Sequence, residues 1–130
     1  MMRILLYAAL LGGLWTYLKK QDTMQTDKLS NTTVKQAINA LQAGDTKAWF
    51  AVFTADAALY DDGNKMNFRS FWEKALGHER FTSIDKVENN GLDVYGHFHS
   101  DQWGDFKTYM KFHIQADGKI SRLDIGQASY

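Results

Sequence analysis

The chain has 130 residues, of which 45% are hydrophobic and 14% aromatic, enough for one core and one domain rather than two. Fifteen basic and fifteen acidic side chains balance, but the first twenty residues hold Arg3, Lys19 and Lys20 and no acid, so the remainder is mildly acidic and offers no basic surface for a nucleic-acid backbone. There is no cysteine, which excludes disulfides, thiolate metal sites and thiol nucleophiles, and no proline to interrupt a helix or demote a strand.

Ile4 to Leu18 is a nearly continuous apolar run bracketed by Arg3 and Lys19-Lys20. As a helix it would rise roughly 22 Å, short of the ~30 Å hydrocarbon core of a bilayer. A basic residue before an apolar run is the pattern of an export signal, yet no small-residue cleavage site follows Gly12-Gly13. Residues 1–20 are therefore expected to be an apolar N-terminal helix, either a signal or an uncleaved membrane anchor, so that the protein is exported or membrane-associated. The alternative is a helix packed on the protein's own surface or on a partner, in a cytoplasmic protein. The polar stretch 21–30 reads as a linker, and the domain is expected over 31–130.

Val34, Ala37, Ile38 and Leu41 form one apolar helical stripe, with Thr33 and Gln36 matching a capping box and Gly44 a C-terminal stop. Asp45 is placed to cap a second helix carrying Ala48, Trp49, Val52 and Phe53. Ala57 to Asp61 reads as a short strand ending in the turn Asp61-Asp62-Gly63. Asn67 then caps a third helix whose Phe68, Phe71, Trp72 and Ala75 share a face, ended by Gly77.

From Phe81 the period changes to two, giving strands over 81–88, 92–99, 106–114 and 120–127. Asn89-Asn90-Gly91 and Asp117-Gly118 supply hairpin turns. Phe106, Thr108, Met110, Phe112 and Ile114 make the buried face of the third of these strands, opposite Lys107, Tyr109, Lys111 and His113. The predicted architecture is α+β: a four-strand antiparallel meander plus one short strand, with three helices covering one face.

Ala43-Gly44-Asp45 between the first helices, Phe53-Thr54-Ala55-Asp56-Ala57 before the first strand and Asp117-Gly118-Lys119-Ile120 before the last resemble the nuclear transport factor 2-like (NTF2-like) superfamily, especially its SnoaL-like and ketosteroid isomerase-like branches. The resemblance covers about residues 33 to 128. It implies a cone, in which a curved sheet wraps around helices and leaves an apolar pocket at the wide end, and often a dimer through the outer sheet face. The superfamily holds enzymes and pure binders alike, so it implies a pocket rather than a chemistry.

Asp61 is the candidate catalytic residue. Strand alternation puts it beside Ala57 and Leu59, and the isomerase-like pattern implies a proton-abstracting acid there; burial beside aromatic rings would raise its pKa toward a useful base. The donors that pattern also implies are missing, since Ala37 and Met110 occupy their places, and the plain alternative is a solvated turn. Trp49, Phe53, Leu59, Phe71, Trp72, Met110 and Phe112 are candidates to line a pocket for a small apolar molecule, or simply core. His97 and His99 share one strand face, as metal ligands could, but Val94 and Phe98 claim the buried side, and neither a metal nor a cofactor is called for. The outer face, with Tyr95, His97, His99, Tyr109 and His113, is a candidate homodimer surface. Three readings stand: a ligand-binding domain without assigned activity, a proton-transfer isomerase or cyclase using Asp61, and a tethered protein-interaction module.

Overall fold

The computed structural model describes residues 26–130. The expectations for residues 4–18 lie outside the described residues, and no helix among those described is long and apolar enough to cross a membrane. Thr26 and Leu29 are buried and the Lys28 ammonium donates to the Ile84 carbonyl at 3.0 Å, so the last part of the expected linker lies against the domain.

Helix α1 (Thr32–Ala43) buries the predicted stripe of Val34, Ala37, Ile38 and Leu41. Its cap is Asn31, whose side chain accepts from the Val34 N–H, in place of the expected box at Thr33 and Gln36; an asparagine two residues earlier does the same work. Gly44, at φ 65°, closes the helix in the left-handed region. Helix α2 (Thr46–Ala51) is capped by Asp45 as expected but stops short of Phe53. The reason is tertiary: the Val52 carbonyl accepts from the Ile120 N–H at 2.9 Å and the Ala51 carbonyl from the Lys119 ammonium at 2.6 Å, which draws this stretch into the sheet.

Strand β1 is therefore longer than expected, Phe53–Asp61, and it folds back through Asp62-Gly63 onto a three-residue strand β2 (Asn64–Met66) that the sequence reading lacks. Helix α3 (Phe68–Ala75), capped by Asn67, follows. Then come β3 (Glu79–Glu88), β4 (Asp93–Ser100), β5 (Gly104–Ile114) and β6 (Ile120–Gln127). These four form the expected antiparallel meander, and the six-stranded order is β2-β1-β6-β5-β4-β3. One pairing departs from the all-antiparallel expectation: β1 runs parallel to β6, Leu59 opposite Leu123 and Asp61 opposite Ile125.

The sheet is curved and unclosed, with the helices against its concave face. At the closed end Trp49 stacks between Phe53 and Trp72 at ring-centroid distances of 4.8 and 4.5 Å. Leu59, Phe112, Ile120 and Leu123 complete a core from which water is excluded. Side chains of this size stabilise by about 1.5–3 kcal/mol each on full burial. Gln42 of α1 reaches the free edge of β3, donating to the Phe81 carbonyl at 2.9 Å and accepting from the Phe81 N–H at 2.8 Å. Both edge groups of that residue are thereby satisfied.

Candidate functional site

Between α3 and the sheet the packing is incomplete. A cavity of about 1090 Å³ remains. Phe71, Trp72 and Ala75 of α3 form one wall, and Phe98, Phe106 and Met110 from the inward rows of β4 and β5 form the other. Met66 and Trp103 stand at the mouth, and Trp103 is 72% exposed.

The cavity also has a polar end. Asp61, the last residue of β1, shares the inward parity of Ala57 and Leu59 and lines the cavity half-buried. Burial pushes its carboxyl above the ordinary aspartate range, and the neighbouring Asp62 carboxylate adds to the effect. Among the described residues no donor reaches it. Glu79, near the start of β3, lines the same cavity, and burial likewise pushes its carboxyl up; the Ser100 hydroxyl and His78 oppose this, while the charges of Asp61 and Asp101 reinforce it. Ser100 is buried, donates to Glu79 Oε2 at 3.0 Å and accepts from the N–H groups of Gln102 and Trp103 at 3.2 and 3.1 Å. That hydroxyl ties Glu79 to the β4–β5 turn that carries Trp103. Thr108, also on the wall, donates to the Gly126 carbonyl at 2.7 Å.

Trp72 is fully buried, and its indole N–H, like that of Trp49, meets no acceptor among the described residues. On the rim, Asp101 accepts from His78 at 3.1 Å and from His99 Nε2 at 3.0 Å, while His99 Nδ1 lies 2.6 Å from Asp105.

The expected pocket residues divide. Asp61, Phe71, Trp72 and Met110 line the cavity, whereas Trp49, Phe53, Leu59 and Phe112 do not and belong to the core at the closed end. Periodicity shows which residues face inward and not how far along the cone each one lies, so both groups carry the same signal. The plain alternative for Asp61 is half right: Asp62 and Gly63, with φ 48° and 84°, make the turn, and Asp61 stays on the strand face. Glu79 escapes the sequence reading because the apolar alternation begins only at Phe81; its parity with Phe81, two residues on, is the signal that points to it.

Ala37 is buried in α1, away from the cavity, and Met110 presents a thioether, so neither supplies an oxyanion donor. His97 and His99 lie on the outer face and take different carboxylates, His97 that of Asp85 at 2.7 Å. Among the described residues no group of three His, Asp or Glu side chains is placed to hold a metal ion.

No protein-family model matches the chain. No curated protein matches it at significant similarity. Solved structures do. An NTF2-like protein of unknown function from Cytophaga hutchinsonii superposes with a TM-score of 0.60 at 16% identity, over 78% of this chain and 94% of that one. A candidate polyketide cyclase from Sinorhizobium meliloti gives 0.61 at 21% identity, over 78% and 98%. The orange carotenoid protein of Anabaena, binding canthaxanthin, gives 0.60 at 18% identity, over 78% of this chain and 37% of that one. The chain has the NTF2-like cone fold, shared with SnoaL-like proteins.

Proposed function

We propose that this protein binds a small, largely apolar molecule in the wide end of the cone, with the body of the ligand between the aromatic walls and its polar end toward Asp61 and Glu79. The observation that carries this reading is the cavity itself: about 1090 Å³, walled by Phe71, Trp72, Phe98, Phe106 and Met110 and open to solvent past Trp103. Sites for drug-sized ligands are commonly concave, apolar and furnished with a few polar groups. The carotenoid carried by the Anabaena protein and the name of the Sinorhizobium protein are consistent with an apolar ligand in this fold. Calorimetric titration of the full chain with naphthalen-1-ylmethanol tests it. One saturable site with a negative heat-capacity change is expected, and heats of dilution alone would contradict it.

A second reading, proton transfer by Asp61, has a specific observation in its favour, since this carboxyl faces the cavity and burial raises its pKa. The donors expected at Ala37 and Met110 are lacking; Glu79 in its neutral form would be a donor at the same end. The binding reading needs no such donor and is preferred.

Two further parts of the reading concern assembly and place. The apolar run 4–18 supports a position at or across a membrane. The outer face, where Tyr95 and Tyr130 meet edge to face at 6.0 Å and Lys86 and Lys107 lie over the Tyr130 ring, supports a homodimer contact.

A further inference from the structure

Within the binding reading, on which this step rests, the chemistry of the polar end narrows the ligand. We infer that the cavity takes an organic cation: an apolar, ring-bearing body carrying a protonated amine that sits between the carboxyl groups of Asp61 and Glu79.

Four acids line the cavity, Asp61, Asp62, Glu79 and Asp101, against two basic side chains, Lys74 and His78. Not all four are free to act. Asp101 accepts from both His78 and His99, and Asp62 Oδ1 accepts from the Gln127 N–H at 3.2 Å. His78 is engaged by Asp101, which leaves Lys74, exposed in the last turn of α3, as the other cation on the wall. Asp61 has no donor among the described residues, and Glu79 has one, the Ser100 hydroxyl. Each carboxylate can accept about four hydrogen bonds, so two half-exposed carboxyls on one cavity, their charges opposing each other, keep acceptor positions that a guest could take from solvent.

An ammonium group answers that arrangement. It brings three donors and no acceptor, and its charge turns the mutual repulsion of Asp61 and Glu79 into attraction on both sides. An alcohol brings one donor and leaves the repulsion in place. An anion would add to it. A bare metal ion is disfavoured because no group of three His, Asp or Glu side chains is placed to hold one among the described residues. The aromatic rings of the walls suit the body of an amine, since aromatic faces attract cations as well as apolar surface.

The test uses three ligands of one shape on the full chain: naphthalen-1-ylmethylamine, naphthalen-1-ylmethanol and 1-naphthoate. Calorimetry at pH 7 is expected to rank amine over alcohol by about tenfold or more, with the carboxylate weakest. In a chain carrying both Asp61→Asn and Glu79→Gln, shown folded by a cooperative thermal transition, the amine-to-alcohol ratio is expected to fall to within about threefold of one. Equal binding of amine and alcohol by the native chain would overturn the inference and leave the apolar pocket standing. A preference that survives in the double variant would also overturn it, because the cation would then sit elsewhere. Failure of all three ligands would remove the pocket reading and this inference with it.

Discussion

Asp61 and Glu79 are held where ionisation is unfavourable, and that has a cost at the scale of single residues. An acid whose pKa is raised by folding stabilises the fold fully only below its unfolded value and loses that contribution as pH rises through its folded value. At neutral pH each therefore works against the fold. Asp61→Asn is expected to raise stability in urea at pH 7 by about 0.5 kcal/mol, a figure reduced for solvent screening of a half-exposed group, with the gain fading below a pH of about 4. A loss of stability at pH 7 would contradict this account of Asp61. His99 shows the opposite sign. Both its ring nitrogens face carboxylates, Asp105 at 2.6 Å and Asp101 at 3.0 Å, and a carboxylate only accepts, so the geometry requires the doubly protonated ring. These two partners raise its pKa, and the tie it makes to the β4–β5 turn is present at low pH and lost as pH rises through that raised value. Proton NMR titration should place His99 above about 6.5, and Asp105→Asn should bring it down; a midpoint below that value would contradict the clasp. Asp61 was legible in the sequence because strand alternation was regular up to it. Glu79 was not, because a charged residue ahead of the first apolar position reads as solvated, although it keeps the parity of Phe81 at the start of β3.

Elements are legible in the sequence where one face is apolar over several turns or alternations, as in α1, α3, β5 and β6. They were misread where a contact distant in sequence decided. Val52 and Phe53 fit the helical spacing of α2, and the carbonyl of Val52 is nevertheless claimed by Ile120, 68 residues further on. β2 left no trace in the pattern because all three of its residues are exposed. The bulge in β3 has its counterpart across the pair at Gly96, where any Cβ would run into the Ser83 carbonyl. The clasp of Gln42 on Phe81 is also invisible to periodicity, because a polar residue near a helix end reads as solvated. Gln42→Ala leaves the Phe81 N–H and C=O without these partners and is expected to cost about 1–3 kcal/mol in chemical unfolding. A change under about 0.5 kcal/mol, the usual range for a neutral surface site, would show that water replaces the amide without loss.

For the whole molecule, the proposed binding rests on one feature of the fold: the helices fill the cone at one end and leave a cavity at the other. Trp49, Phe53, Leu59 and Phe112 lie at the filled end, Phe71 and Met110 at the open one, and Trp72 between them, stacked on Trp49 and lining the cavity. The sequence told inward from outward, but the curvature of the sheet and the position of α3 along it decide depth, and neither is written in a local pattern. The resemblance to NTF2-like proteins supplied the expectation of an open end, and the geometry supplies its lining. The most direct test labels the methionine methyl groups of the full chain with carbon-13 and follows them by NMR during titration with naphthalen-1-ylmethanol. Met110, nearly sealed in the wall, and Met66, at the mouth, are expected to shift together and saturate at one equivalent. A saturating titration in which Met110 does not move would place the ligand outside the cone and contradict the account.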